Sequence, residues 1–169
     1  GNAGVYSFYA TKAIPAGEGG VVVTNDQLLG EIISSFSIYD RFEQKLAVGN
    51  NIRISEMQAL FTYSVVKEWQ NIIANKTRIA QEYIRTCKER NISYISQDEN
   101  GQKGNYYKFI IYDYAQPISA AFPKLKTVTS RVYDYCLCEC NNLINNHACL
   151  PIWYNLELDI VKKVESELS

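Results

Sequence analysis

The apolar positions of the chain form short runs typical of strands near its start and helical spacings after them. Residues 5–9 and 21–24 are rich in Val, Tyr and Phe, which predicts two strands, and the proline- and glycine-containing residues 15–20 predict a special loop between them. From Asp26 onward apolar residues recur every three or four positions. This spacing predicts a helix that is capped by Asn25 or Asp26 and fades near residue 40.

A second helical region begins after a polar, glycine-containing stretch. Ser55 is followed three residues later by Gln58, the spacing of a capping box, in which each residue satisfies a backbone N–H of the first helical turn. Apolar residues keep the helical period beyond Lys67 as far as Asn91, which is suited to a C-terminal cap. The pattern therefore predicts the longest helix of the chain here.

The remainder of the chain mixes strands and helices. Residues 92–95 and 106–112 predict strands, separated by a polar surface loop at 97–104. A short helix at 118–125 and a strand at 129–135 follow. A closing amphipathic helix is predicted by Leu156, Ile160, Val161, Val164 and Leu168.

Composition narrows the class of protein. The 169 residues are 47% apolar, which predicts a folded globular domain. Seventeen Lys and Arg against 18 Asp and Glu leave a net charge of -1 and no basic stripe, so nucleic acid is not expected as a partner. No apolar run approaches the roughly 20 residues that span a membrane, and no export signal is recognised. The odd number of five cysteines suits reduced thiols, which predicts a cytoplasmic protein.

Lys12 is the most distinctive candidate for chemistry. It follows a predicted strand and is flanked by the hydroxyls of Ser7 and Thr11 and by a glycine-rich turn. Backbone amides and hydroxyls in such a loop can meet an anion while the lysine amine points into a cleft. Without further information, however, a lysine in a loop is more commonly a solvated surface residue.

The segment SFYATKAIPAGEGGVVVTND, residues 7–26, resembles the lysine motif of the DegT/DnrJ/EryC1/StrS aminotransferase family, which reads Ser-Phe-His-Ala-Thr-Lys before a Gly-Glu-Gly-Gly turn. The resemblance implies that Lys12 forms the Schiff base with pyridoxal 5′-phosphate and later moves a proton between the cofactor and the substrate carbon. It also implies that Ser7 hydrogen-bonds the cofactor phosphate. Tyr9 stands where the family usually has His.

A second segment, GNNIRISEMQAL at residues 49–60, is similar to the family's Gly-x-Asn-x-Arg-x-Ser-Glu-x-Gln-Ala motif. The resemblance implies that Asn51 reaches the cofactor phosphate of a neighbouring subunit in a homodimer. Arg131 and Tyr133 are the candidate contacts to the substrate, although an ordinary strand with an exposed Arg accounts for them about as well. The further matching residues are interpreted as family markers and not as catalytic groups: Arg53, Ser55, Glu56 and Gln58.

The resemblance implies an α/β fold, the C-terminal portion of a fold-type-I pyridoxal-phosphate transferase that lacks most of the large-domain sheet. Residues 1–67 would be the remnant of the cofactor-binding domain and residues 68–169 a small α+β domain. The implied activity transfers an amino group from glutamate to a nucleotide-linked keto-sugar. In the family, the aspartate that pairs with the pyridine nitrogen lies upstream of the lysine, and none is matched here. This chain alone is therefore expected to be inactive.

Two other interpretations stay open. The first is a non-catalytic scaffold or partner-binding module derived from the same family. The second is a metal-binding module, since four cysteines and the only histidine are close in sequence. Its C-x-C-x-C spacing lacks the usual two-residue separation of zinc ligands, so free thiols and no metal are the favoured interpretation. The residues concerned are Cys136, Cys138, Cys140, His147 and Cys149.

Overall fold

The computed structural model describes residues 1–37, 52–129 and 142–169. The chain divides into two compact units, Gly1–Glu68 and Trp69–Ser169. Both contain helices and antiparallel strands, and the mixed α/β class expected from the sequence is confirmed.

The first unit begins with a two-stranded antiparallel sheet. Strand β1 (Ala3–Ser7) pairs with β2 (Gly20–Thr24), and Val5 lies opposite Val22. The first strand ends two residues earlier than predicted, because the N–H of Tyr9 turns back to donate to the Ser7 hydroxyl at 3.3 Å. The chain therefore leaves the sheet at Ser7.

Two helices complete the first unit. Helix α1 (Gln27–Ser37) begins after Asp26, whose carboxylate oxygen accepts the N–H of Leu29 at 3.0 Å, as expected for an N-cap. Helix α2 (Glu56–Lys67) begins after Ser55, which caps it through the N–H of Gln58 at 3.2 Å. Ser55 thus makes its half of the predicted capping box. The side chain of Gln58 instead contacts the loop between β1 and β2.

The prediction of a continuous helix through Lys67 to Asn91 is wrong. Helix α2 ends at Lys67, and a separate helix α3 (Trp69–Glu89) follows. The N–H of Glu68 donates to the carbonyl of Val65 at 3.0 Å, a bond across three residues that tightens and ends the turn. No glycine or proline marks this break, so the periodicity of the sequence runs through it unchanged.

Helix α3 ends as predicted. Asn91 adopts a left-handed backbone with φ of 55°, and the N–H of Ile92 donates to the carbonyl of Cys87 at 2.8 Å. This bond across five residues is the Schellman arrangement, which satisfies a carbonyl of the last helical turn.

The second unit contains a three-stranded antiparallel sheet in the order β3 (Ser93–Tyr94), β4 (Phe109–Tyr112) and β5 (His147–Leu150). Strand β4 begins three residues later than predicted, because Tyr106 has a positive φ of 46° that an extended strand does not allow. Strand β5 was not predicted from the sequence. The strand that was predicted at 129–135 lies almost wholly outside the described residues.

Besides α3, three further helices accompany this sheet in the described part of the second unit. Helix α4 (Ile118–Ala121) is shorter than predicted, α5 (Asn142–Asn145) was not predicted, and α6 (Leu158–Glu167) is the expected closing helix. No helix in the described ranges is long and apolar enough to cross a membrane.

The core of the second unit lies between α3, α6 and the sheet. Tyr83 on α3 is fully buried, and its ring packs against Phe109 of β4 with 5.2 Å between centroids. Its hydroxyl donates to the carbonyl of Pro151 at 2.9 Å, so the buried polar atom is paired. Burial, together with the nearby carboxylate of Glu165, raises the pKa of Tyr83 well above its ordinary value.

Glu167, at the end of α6, binds the chain that follows α4. Its carboxylate accepts the N–H groups of Lys126 and Thr127 at 2.9 and 2.7 Å, and the hydroxyl of Thr127 at 2.8 Å. Desolvation acts to raise the pKa of Glu167, but the hydrogen bonds from Thr127 and Lys126 outweigh it, and the net shift is downward.

We expect Glu167→Gln to lower the free energy of unfolding by about 1 kcal/mol, because a neutral amide oxygen accepts the N–H groups of Lys126 and Thr127 less strongly than the charged carboxylate oxygen does. The contribution of the wild-type carboxylate should be present above its unfolded-state pKa and should disappear as pH falls through the depressed folded-state pKa. Urea unfolding at pH 7 and at pH 3 measures both effects. Glu157→Gln is the control, because the side chain of Glu157 makes no cap hydrogen bond. If the free energy of unfolding fell equally in Glu167→Gln and Glu157→Gln, the role of Glu167 would be contradicted.

Candidate active site around the lysine loop

Residues 8–19 connect β1 to β2 and are called the lysine loop. The loop is closed by backbone hydrogen bonds between its two sides. Phe8 donates to the carbonyl of Gly19 at 2.9 Å, Ala10 to that of Gly17 at 2.9 Å, and Ala16 to that of Phe8 at 2.8 Å. These bonds continue the pairing of the strands into the loop, so several backbone groups of the loop are satisfied by partners within it.

Lys12 lies in a tight turn of this loop. Its N–H donates to the carbonyl of Tyr9 at 2.9 Å, and its side chain is half-buried. Tyr9 contributes its carbonyl to this turn, so the replacement of the family's usual His leaves the backbone contact intact.

Ser7 is the last residue of β1, and its side chain is exposed. Its hydroxyl oxygen accepts the N–H of Tyr9 at 3.3 Å, a hydrogen bond that orients the side chain at the start of the lysine loop. A primary amine in the lysine loop and an oriented hydroxyl at the end of the preceding strand are therefore five residues apart. This is suitable chemistry for a ligand with an aldehyde and a phosphate, such as pyridoxal phosphate.

The far side of the loop depends on two glycines with left-handed backbones. Gly17 has φ of 87° and Gly19 has φ of 115°, a value that only glycine adopts without strain. A Cβ on Gly19 would also lie 3.3 Å from Cγ2 of Ile54. The Gly-x-Gly spacing is thus a requirement of the backbone.

Gln58 joins the lysine loop to helix α2. Its side-chain nitrogen donates to the carbonyl of Ala16 at 2.6 Å, to that of Glu18 at 3.0 Å and to the hydroxyl of Thr62 at 3.1 Å. Ala16 is only 1% exposed, so its carbonyl has little access to water. The sequence analysis interpreted Gln58 as a capping residue and family marker. Its contact with the loop has no signature in the local sequence, because the partners are about forty residues apart.

Residues 1–124 match the sequence profile of the DegT/DnrJ/EryC1/StrS aminotransferase family. This range covers most of the chain, including the lysine loop and α2. The chain belongs to this family.

Individual relatives agree with the assignment to the DegT/DnrJ/EryC1/StrS family. UDP-4-amino-4,6-dideoxy-N-acetyl-beta-L-altrosamine transaminase of Helicobacter pylori is 34% identical over 93 residues, which are 52% of this chain and 25% of that protein. The chain thus spans about a quarter of the length of this curated relative in the matched region.

Solved structures of the DegT/DnrJ/EryC1/StrS family share the fold at lower identity. A family aminotransferase from Brucella abortus has a TM-score of 0.83 at 18% identity, covering 99% of this chain and 50% of the other. PseC of Helicobacter pylori, an aminotransferase involved in the biosynthesis of pseudoaminic acid, has a TM-score of 0.76 at 22% identity, covering 99% and 52%. The expected fold, a portion of a pyridoxal-phosphate transferase, is confirmed, and this chain spans about half the length of these structures.

Several residues proposed from the family resemblance lie outside the described residues. Asn51 is one, and the candidate substrate contacts Arg131 and Tyr133 are the others, so their roles stay predictions. Cys136, Cys138 and Cys140 also lie outside. Within the described ranges, no group of three His, Cys, Asp or Glu side chains is placed to hold a metal ion.

The second unit contains a cavity of about 160 Å³, away from the lysine loop in sequence and lined in part by Ser119, Thr129, His147 and Cys149. It is smaller than the roughly 300–1,000 Å³ of ordinary ligand pockets. The described residues therefore point to the lysine loop as the candidate site of this family member.

Gly19→Ala should destabilise the first unit by about 1–3 kcal/mol, since a Cβ is strained at this φ and meets Ile54. Gly30→Ala is the matched control. Gly30 lies within α1, where a Cβ would be 3.6 Å from its nearest neighbour and the same substitution should stabilise by about 0.5–1 kcal/mol. Thermal unfolding of both variants measures the difference. A neutral or stabilising Gly19→Ala would contradict the strained loop.

Proposed function

We propose that this protein is part of a pyridoxal-phosphate-dependent aminotransferase, in which Lys12 binds the cofactor and an amino group passes from glutamate to a nucleotide-linked keto-sugar. The observation that supports this most is the closed lysine loop. In a chain that belongs to an aminotransferase family, it holds a half-buried lysine between a serine-ended strand and a glycine turn. The nucleotide-linked sugar is proposed because one relative is named as a transaminase of a UDP-linked amino sugar. The keto-sugar is proposed as the acceptor because transfer of an amino group to a ketone gives such an amino sugar.

In this proposal pyridoxal phosphate supplies an aldehyde that binds amines and a ring that withdraws electrons from the carbon next to the amine. The amine of Lys12 holds the cofactor at rest. During turnover it moves a proton between the substrate carbon and C4′ of the cofactor, which requires the amine to be neutral for part of the cycle.

The proposed contacts to the cofactor phosphate come from two residues. Ser7 would donate its hydroxyl, whose oxygen is oriented by the N–H of Tyr9. Asn51 would come from the neighbouring subunit. Arg131 and Tyr133 remain the proposed contacts to the sugar substrate.

We also propose that residues 1–67 belong to the cofactor-binding domain and residues 68–169 to a small domain. The division of the chain at Glu68 into two compact units supports this. Residues 1–169 alone are proposed to be inactive, because the aspartate that should pair with the pyridine nitrogen is not matched among them. The scaffold interpretation is the alternative that the experiments below would favour if no cofactor binds.

A homodimer is part of the proposal, because Asn51 acts across subunits. Helix α2 supports it with a stripe of apolar residues at helical spacing: Met57, Leu60 and Phe61 are 85%, 68% and 55% exposed. An apolar stripe of this kind is typical of a surface that another chain covers. Residue 51 lies shortly before α2, so the same region would bring Asn51 to the partner.

Leu60→Glu in the full gene product should shift the protein from dimer to monomer, because a carboxylate would be buried at the interface. Sedimentation velocity over a range of concentrations measures this. Leu158→Glu is the control, the same substitution at the first residue of α6, where the side chain is 44% exposed. A dimer that survives Leu60→Glu but not Leu158→Glu would place the interface elsewhere.

A cytoplasmic location completes the proposal. Cys87 and Cys149 are free and buried thiols, and burial raises the pKa of Cys87 to about 11. Such thiols stay protonated and unreactive, which suits a reducing compartment. No partner of nucleic acid or membrane type is proposed.

The cofactor role of Lys12 is tested with the full gene product and pyridoxal phosphate. We expect borohydride to fix a pyridoxyl group on Lys12, with an absorbance band before reduction that is absent from Lys12→Ala. Peptide mass spectrometry identifies the residue. Lys67→Ala is the control, a solvent-exposed lysine at the end of α2, and it should leave the adduct on Lys12. Absence of any Lys12 adduct in the wild type would favour the scaffold interpretation.

A further inference from the structure

Gln58 lies at the third position of helix α2, where Ser55 fixes the start of the helix through the N–H of Gln58. A glutamine at this position normally turns back to cap the helix. Here its side-chain nitrogen donates to two carbonyls of the lysine loop, those of Ala16 and Glu18. The side chain therefore links a helix with a fixed start to a loop about forty residues earlier.

We propose that Gln58 is a positioning residue for Lys12: its amide holds the far side of the lysine loop, and through the loop it sets where the lysine amine lies for reaction with the cofactor aldehyde. This inference rests on the proposed function, and no contact between Gln58 and the cofactor is implied.

The link from Gln58 to Lys12 passes through Ala16. The carbonyl of Ala16 accepts from Gln58 at 2.6 Å, and the N–H of Ala16 donates to the carbonyl of Phe8 at 2.8 Å. Phe8 follows the end of β1, and the turn with Lys12 begins at the next residue, Tyr9. Movement of Ala16 would therefore release the backbone at Phe8, which directly precedes the turn that carries Lys12.

The surroundings of the Gln58 amide make it hard to replace. Ala16 and Thr62 are both buried, so water has little access to these two acceptors if the amide is lost, whereas Glu18 is exposed and its carbonyl can be hydrated. Gly17 lies close by, since a Cβ there would be 3.9 Å from Oε1 of Gln58. A buried carbonyl without a donor is costly, so the loop should rearrange when the amide is removed.

The test uses Gln58→Glu, which keeps the length of the side chain, removes its donors and sets a carboxylate against two carbonyls. Gln58→Met is the second variant. It also removes the donors, but it adds no charge and so should disturb folding less than Gln58→Glu. Gln27→Glu is the matched control, because within the described residues the amide of Gln27 donates to Glu31 on the same exposed helix α1, at 3.0 Å, and not to the lysine loop. All are made in the full gene product and kept at a temperature where circular dichroism shows them folded.

The first measurement is amide hydrogen exchange without cofactor. We expect the N–H groups of Phe8, Ala10 and Ala16 to exchange about tenfold faster in both Gln58 variants and at the wild-type rate in Gln27→Glu. Unchanged exchange in both Gln58 variants would show that Gln58 does not hold the loop and would overturn the inference.

The second measurement is the rate at which the pyridoxyl group becomes trapped on Lys12 at saturating pyridoxal phosphate, across a range of pH. We expect a rate at least about tenfold lower in the Gln58 variants, because misplacement of a reacting group slows the reaction even when the protein stays folded. Faster loop exchange with an unchanged trapping rate would overturn the positioning role and leave a structural one. No adduct in the wild type would instead contradict the proposed function, and the inference with it.

Discussion

The side-chain amide of Gln58 is the contact that joins the lysine loop to helix α2 in the first unit. Neither of the two strands β1 and β2 buries a residue in the described structure, and a two-stranded sheet is marginal by itself. The hydrogen bonds from Gln58 to Ala16 and Glu18 attach the loop between these strands to α2, whose start is in turn set by Ser55. The loop that carries Lys12 is thus in contact with its own strand pair and, through Ala16 and Glu18, with helix α2.

The second unit is held together differently, by a conventional apolar core. Helix α3 presents one buried face to the antiparallel sheet and to α6, and Tyr83 at its centre is paired with the carbonyl of Pro151. Glu167 then binds the backbone at Lys126 and Thr127. The two units therefore differ: the second buries a contiguous apolar core, while the first exposes apolar side chains such as Met57 and Leu60.

The candidate site was predictable where its requirements are local. The lysine, the serine five residues before it and the two glycines follow from backbone rules and from the family motif; the lysine and the glycines lie in the closed loop, and the serine ends the strand before it. Gln58 was assigned to the wrong partner, because a Ser-x-x-Gln spacing is explained equally well by a capping box. Nothing within three residues of Gln58 indicates the carbonyls that it contacts, since these come from a distant part of the chain.

The sequence by itself determined the start of α2 at Ser55 and the end of α3 at Asn91, because each depends on a side chain and a backbone a few residues apart. It limited the cap of α1 to Asn25 or Asp26, and the structure assigns the cap to Asp26. Only the tertiary structure decided the break at Glu68, the late start of β4 at Phe109 and the existence of β5. Periodicity records which positions can be buried, but the partner that buries them is chosen by packing between distant segments. For the same reason, Lys12 can be identified from a sequence motif, whereas the contact of the Gln58 amide with the lysine loop can be seen only in the fold.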